Sequence, residues 1–361
     1  MAGQLGFFDL EDRYAQLSKA GDPLEKLAAV VDFEPFRYRL VKALKRSDGA
    51  KGGRPPFDPV LMFKILILQA LYGLSDAQAE FQIRDRLSFM RFLGLGPGDL
   101  VPDATTIWLF REQLTKAAAV EKLFARFDTL LADKGYLAMS GQILDASVIP
   151  APRQKLDDGE KRAIKEGKTA AEIWPDEPAK AAQKDVDARW TLKRVKARPD
   201  ADTRKPGPEI AIPVFGYKSH IGIDRRHGLI RTWLVTDAAA HDGARLREGL
   251  IDTENTGSEV WADTAYRSQA NEAYLASIGK RSRIHRRKPP GKPMARTTAR
   301  ANATKSKVRR VVEHPFAHQK AIMGLVIRTI GKARVKTKVG LANLAFNMRR
   351  LVWLEGRPAP G

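Results

Sequence analysis

The chain has 361 residues, 43% of them hydrophobic, and its 63 Lys and Arg against 42 Asp and Glu give a net charge of +21. The length and apolar fraction suffice for two compact domains, and the charge favours a polyanionic partner, nucleic acid first. Cysteine is absent, which excludes disulfides, thiol catalysis and cysteine-ligated zinc fingers and fits a reducing cytoplasm.

The opening "MAGQLGFFDLEDRY" has no charged segment leading into an apolar core, so no secretory leader is expected. Residues 1–50 read as a helical segment. Leu24, Leu27, Ala28 and Val31 keep helical spacing, and the segment ends in the basic, Gly-rich "KRSDGAKGGRPP". Residues 51–135 read as a helical DNA-binding domain. Asp58 is placed to cap a helix with Pro59 in its first turn, Ser75 or Asp76 a second, and Asp103 a third. "LMFKILILQALYGL" is apolar nearly all round, which predicts a helix at the centre of a bundle. It is interrupted by Lys64 and falls short of the ~20 apolar residues that span a bilayer, so no membrane partner is expected. Helical spacing fits a helix-turn-helix DNA binder and a plain bundle equally.

From residue 138 the pattern changes to α/β. "GQILDASVI" predicts a buried strand, and about sixty polar residues, 150–210, read as an insertion or flexible arm with a helix near "DGEKRAIKEG". "PVFGYKSHIGID" and "LIRTWLVTDA" predict a hairpin turning at Gly228. Helix, strand, helix and short strand follow in "HDGARLREGLI", "SEVWADTAY", "SQANEAYLASIG" and "RSRIHR", ahead of a basic loop and C-terminal helices. This order predicts a mixed sheet flanked by helices over 138–352, behind an all-α N-terminal domain.

Residues 280–310 hold thirteen Lys or Arg and no acid, and Glu313 follows them. Such a run, with Arg286, Arg287 and Lys288 adjacent, suits DNA phosphates. Asp145 and Asp263 end apolar strands. With Glu313 they make three carboxylates on separate elements, a hard oxygen set suited to Mg²⁺ or Mn²⁺. Two such ions ~3.5–4 Å apart serve in-line phosphoryl displacement. The same aspartates are equally placed to cap helices and turns. Lys218 is a candidate phosphate contact or a solvated strand residue, and Trp190 a base-stacking platform or a loop anchor. His314 and His318 have metal-ligand spacing, but Pro315 lies between them and they read as surface or DNA-facing residues. Asp242, after His241, reads as a helix cap.

The residues around Glu313 resemble a known family. Arg309, Glu313 and Lys320 match the Tyr-x2-Arg-x3-Glu-x6-Lys signature of bacterial insertion-sequence DDE transposases, with Ser306 where that signature has Tyr. "ILDASVI", "GYKSHIGIDRRHGLIRTWLVTDAAAHD", "ADTAYRS" and "VEHPFAHQK" are similar to the insertion sequence five branch. "RPPFDPVLMFKILILQALYGLSD" and "PDATTIWLFREQL" are similar to its N-terminal domain. The resemblance implies a ribonuclease H-like core with Asp145, Asp263 and Glu313 as catalytic metal ligands, and Arg309 and Lys320 on DNA phosphates. It further implies cleavage at terminal inverted repeats, joining of the 3′-OH to target DNA, and a homodimer that holds two ends at the nucleoid. A metal-dependent nuclease without strand transfer, and a relic that binds DNA without catalysis, remain as rival readings.

Overall fold

The computed structural model describes residues 9–44, 55–196 and 209–357. Most of the Gly-rich stretch read as the first domain boundary, and residues 197–208 near the end of the polar insertion, lie outside these residues. The chain divides into two units. One comprises Met1–Gly135, Ala321–Gly324 and Gly340–Gly361, the other Tyr136–Lys320 and Leu325–Val339.

The first unit is helical: α1 (Asp9–Lys19), α2 (Pro23–Val30), α3 (Arg37–Leu44), α4 (Pro59–Tyr72), α5 (Asp76–Asp85), α6 (Leu87–Leu93), α7 (Ala104–Lys116) and α8 (Ala119–Asp133). Asp58 caps α4 by accepting from the amides of Val60 and Leu61 at 2.8 and 3.0 Å, Ser75 caps α5 and Asp103 caps α7. The all-round apolarity of α4 matches its burial, with Met62, Phe63, Ile65, Leu66, Ile67 and Leu68 shielded from solvent. Phe33, Phe36 and Phe63 meet around it with centroids 5.1–6.3 Å apart. α4 and α5 cross at 102°. The one helix predicted from Ser75 onward is two, because Arg86 turns extended and lays its guanidinium 4.4 Å over Phe89. No single helix among the described residues is long and apolar enough to cross a membrane.

The second unit holds β1 (Gln142–Pro150), α9 (Asp158–Lys165), α10 (Ala170–Ile173), α11 (Pro178–Gln183), β2 (Arg189–Lys196), β3 (Glu209–Asp224), β4 (Ile230–Asp237), α12 (Asp242–Arg245), β5 (Glu259–Trp261), α13 (Gln269–Ser277) and β6 (Arg281–Ser282). α14 (Arg296–Arg309) and α15 (Glu313–Ala317) follow, and α16 (Lys332–Glu355) belongs to this unit up to Val339 and to the first unit from Gly340. The sheet runs β2-β3-β1-β5-β6, with β4 also on β3. β1, β2 and β4 are antiparallel to β3, while β5 is parallel to β1 and β6 to β5. This is the mixed sheet flanked by helices that the element order predicts. Under it Leu144, Leu246, Leu250, Val260, Tyr266 and Leu275 form one apolar cluster.

Two expectations need correction. The basic stretch read as a loop is helical over Arg296–Arg309, although no side chain of α14 is buried. The described parts of the polar insertion are ordered by their own polar pairings, so a flexible arm is the wrong description of them. Buried Trp174 donates to Glu160 at 2.7 Å, and Lys180 reaches the same carboxylate at 3.0 Å. Asp185 then ties the insertion to the sheet, accepting from the Tyr217 hydroxyl at 2.7 Å and from the amides of Asp187 and Ala188. β2, within the insertion, pairs along β3.

Candidate active site

Strand register sets the site. β1 and β5 pair in parallel at Gln142–Val260 and Ile143–Trp261. Asp145 and Asp263 each lie two residues beyond the last pair. Parallel strands point equivalent residues to the same face. Asp145 lies inside β1, opposite Ile221 of β3, and not at the strand end that the sequence suggests, because the ladder with β3 carries β1 on to Pro150. Asp263 lies two residues past the end of β5. Asp263 has left its strand and caps the turn Thr264–Tyr266, with Oδ1 accepting from the Ala265 amide at 2.8 Å. The capping role and the site role therefore fall on one residue.

Glu313 opens α15, after a tight turn over Arg310–Val312 that packs on β1. Val312 and Phe316 are buried while the Glu313 side chain is 63% exposed. Arg309, the last residue of α14, joins the carboxylates. Its Nη1 donates to Asp145 Oδ2 at 2.9 Å, its Nη2 lies 3.7 Å from Glu313 Oε1, and its Nε is buried without a partner.

Burial pushes the Asp145 carboxyl up to about 6; the like charges of Asp263 and Glu313 add to this, against the Arg309 guanidinium and the Ala146 amide. Burial also raises the Tyr266 hydroxyl well above its ordinary value, with Asp242, Asp145 and Asp263 contributing. That hydroxyl is buried without a partner. His285 is lowered, first by burial and then by Arg309 and Lys305.

Among the described residues, no three His, Asp or Glu side chains converge tightly enough to ligate one ion as they stand. The donor chemistry nevertheless fits a divalent cation. A buried carboxylate destabilised by two like charges is relieved by a positive charge, and all three groups are hard oxygen donors.

The other sequence candidates fall as follows. Lys320 donates to Ser147 Oγ at 2.6 Å and to the Val148 carbonyl at 2.8 Å, just past Asp145 on β1. Lys218 holds the Ala240 carbonyl at 2.7 Å and Asp242 at 2.9 Å. Asp242 is thus an ion-pair partner, and the cap of α12 is His241, whose Nδ1 accepts from the Gly243 amide. Arg286, Arg287 and Lys288 are exposed ahead of α14. Asn302 brackets the Arg286 backbone, and Arg287 donates to the carbonyl of Thr264, next to Asp263. Trp190 is 51% exposed, with its ring 5.5 Å from Phe215 and the Arg153 guanidinium 5.4 Å away. His314 is exposed and His318 half-buried.

Sequence reasoning missed the bond from Arg309 to Asp145, which spans 164 residues. It also missed Tyr266. The i, i+4 spacing announced only the Arg309–Glu313 pair.

Residues 11–113 match the family described as Transposase domain (DUF772). Among solved structures, the cryo-EM synaptic complex of piggyBac transposase with hairpin DNA is similar at a TM-score of 0.43 and 11% identity, over 94% of this chain and 77% of that one. Residues 137–348 match the family described as Transposase DDE domain. That span covers more than half of the chain and contains all three carboxylates, so the chain belongs to the DDE transposases.

Proposed function

We propose that this transposase is of the insertion sequence five type, cuts the ends of its element and joins the freed 3′-OH to target DNA. The observation that carries the reading is the shared register of Asp145 and Asp263, with Glu313 drawn to them through Arg309. In this reading Asp145, Asp263 and Glu313 are the catalytic and metal-binding residues of a ribonuclease H-like core. Mg²⁺ or Mn²⁺, two ions together, would supply Lewis acidity to the phosphate oxygens and acidify an attacking water. The chain's own groups place the DNA. Arg309, Lys320, Lys218, Arg286, Arg287 and Lys288 bring positive charge to the backbone around the carboxylates. Half-exposed Trp190 offers a face for an unpaired base.

The helical N-terminal part, 1–50 and 51–135, reads terminal inverted repeats, and 138–352 carries the chemistry. Two element ends require two active sites, so the working form is a homodimer on DNA, at the nucleoid in the cytoplasm. Strand transfer is tested with a pre-cleaved end bearing a 3′-OH, incubated with plasmid target and Mg²⁺. Joined products are expected. Hydrolysis of the same DNA without joining would leave a metal-dependent nuclease.

A further inference from the structure

Arg309 is engaged in a way that binding of phosphate alone does not explain. Its guanidinium lies 2.9 Å from Asp145 and reaches toward the more exposed Glu313 at 3.7 Å. Its side chain is 23% exposed and its Nε is buried without a partner. Asp145 is itself only 17% exposed, so its charge needs compensation. The guanidinium supplies that compensation, through a planar fork suited equally to carboxylate and phosphate.

We infer that Arg309 is an internal counter-cation of the catalytic carboxylates, which a divalent ion must displace and which a DNA phosphate draws away. The inference rests on the metal-site reading above. A metal and the guanidinium compete for the charge of Asp145 and Glu313. Metal affinity is therefore low while Arg309 holds them and rises when the guanidinium finds another anion. Linkage makes this reciprocal, so whatever DNA gains for the metal, the metal gains for DNA. Arg309 thereby acts as a positioning residue that ties metal loading to the arrival of substrate. The geometry permits the exchange at the side chain, because Arg309 closes α14, a helix with no buried side chain, while the turn after it stays anchored on β1 through buried Val312.

The test is Mn²⁺ affinity of the full chain, read by electron paramagnetic resonance of the free ion, with no DNA present. Arg309→Gln is expected to bind Mn²⁺ about tenfold or more tightly than wild type, a factor equal to ~1.4 kcal/mol. Arg309→Lys keeps the charge without the fork and is expected to fall between the two. It also serves should the glutamine variant fold poorly. Arg310→Gln removes the same charge from an exposed neighbour and is expected to change affinity little. Adding a short duplex is expected to tighten Mn²⁺ binding in wild type by a larger factor than in Arg309→Gln.

Asp263→Asn separates the metal site from the counter-cation role. If it abolishes Mn²⁺ binding while Arg309→Gln and Arg309→Lys bind no tighter than wild type, the metal site stands and the counter-cation role is overturned. An affinity gain in Arg310→Gln equal to that in Arg309→Gln also overturns it, by reducing the effect to net charge. If Asp263→Asn leaves Mn²⁺ binding unchanged in every background, the ion is held elsewhere and both readings fall.

Discussion

Asp145 and Asp263 each lie two residues past the Ile143–Trp261 pair of two neighbouring parallel strands, Asp145 still inside β1 and Asp263 just beyond β5. Equivalent residues of parallel strands face the same way, and the charge of Asp263 acts on Asp145. This relationship sets the two aspartates apart from the other acids of the sheet unit and makes them the first candidates for catalysis. Asp145→Asn and Asp263→Asn are each expected to lower cleavage of element-end DNA by about 100-fold or more, as loss of a charge-stabilising group does. Retention of DNA affinity in a gel-shift assay would separate this from misfolding. A variant that cleaves at the wild-type rate would remove its aspartate from the site.

The sheet that carries β1 has little room at Gly216. This glycine has φ of +155° and is the residue of β3 that pairs with both Pro150 of β1 and Arg189 of β2. A Cβ there would lie 2.3 Å from the Ile149 carbonyl oxygen and 2.8 Å from the Ala151 amide, both backbone atoms that cannot swing aside. Gly216→Ala is expected to cost about 2–4 kcal/mol in urea unfolding, the range of overpacked or strained sites. A loss under about 0.5 kcal/mol would mean that the strands have room to separate.

Acid stability depends on a buried histidine. His220 is fully buried, opposite Ala146 in the β1–β3 ladder, with Nε2 2.9 Å from Thr236 Oγ1. Burial pushes its pKa down from 6.5 to about 4, with Asp242 and Asp237 opposing this while Lys218 and Arg245 add to it. A lowered histidine takes up its proton later in the folded than in the unfolded chain. Its contribution is thus complete above pH 6.5 and is lost as pH falls toward 4, by about 3 kcal/mol in all. Asp145, raised from 3.8 to about 6, works in the opposite sense over nearly the same range, gaining stability as pH falls. The informative comparison is consequently wild type against His220→Gln. The variant's stability, measured from about pH 7 to 4.5, is expected to fall less steeply. Parallel curves would place a charged imidazole in the folded protein.

The basic segment ahead of α14 is expected to set how DNA binding responds to salt. Replacing Arg286, Arg287 and Lys288 together by Gln is expected to reduce the slope of log affinity against log salt by about 0.9 for each phosphate no longer neutralised, up to roughly 3. An unchanged slope would place these side chains away from the DNA backbone.

Much of this was legible in the sequence because it is written locally. Asp58, Ser75 and Asp103 announce their helices by capping chemistry, and all three caps are present. Gly228 announces the β3–β4 hairpin, where it takes φ of +68°. Features that depend on partners distant in the chain were not legible. Nothing local to Arg309 points to Asp145, and nothing around Trp190 says that Asp185, five residues earlier, will receive the Tyr217 hydroxyl. The order within the insertion was obscured for a related reason. Two of its three helices, α9 and α10, are held by capping boxes, and one buried Trp174 stands where an apolar stripe would be, so composition resembles that of a solvated arm. The break at Arg86 falls inside a continuous helical pattern with no Gly or Pro to mark it. The helical pattern after His241 also ends early, at Glu248 and Gly249, and there the glycine was the one local sign.

Glu313 completes a metal-dependent active site with Asp145 and Asp263 in this reading of the molecule. Cleavage of a labelled duplex bearing the element's terminal repeat, in Mg²⁺ or Mn²⁺, tests this most directly when wild type is compared with Glu313→Gln. Wild type is expected to nick the repeat end, and Glu313→Gln to bind the duplex with similar affinity but fail to cut it. Equal cleavage by both proteins, or tight binding without cleavage by either, would contradict the assignment and reduce the three carboxylates to turn caps and surface charge.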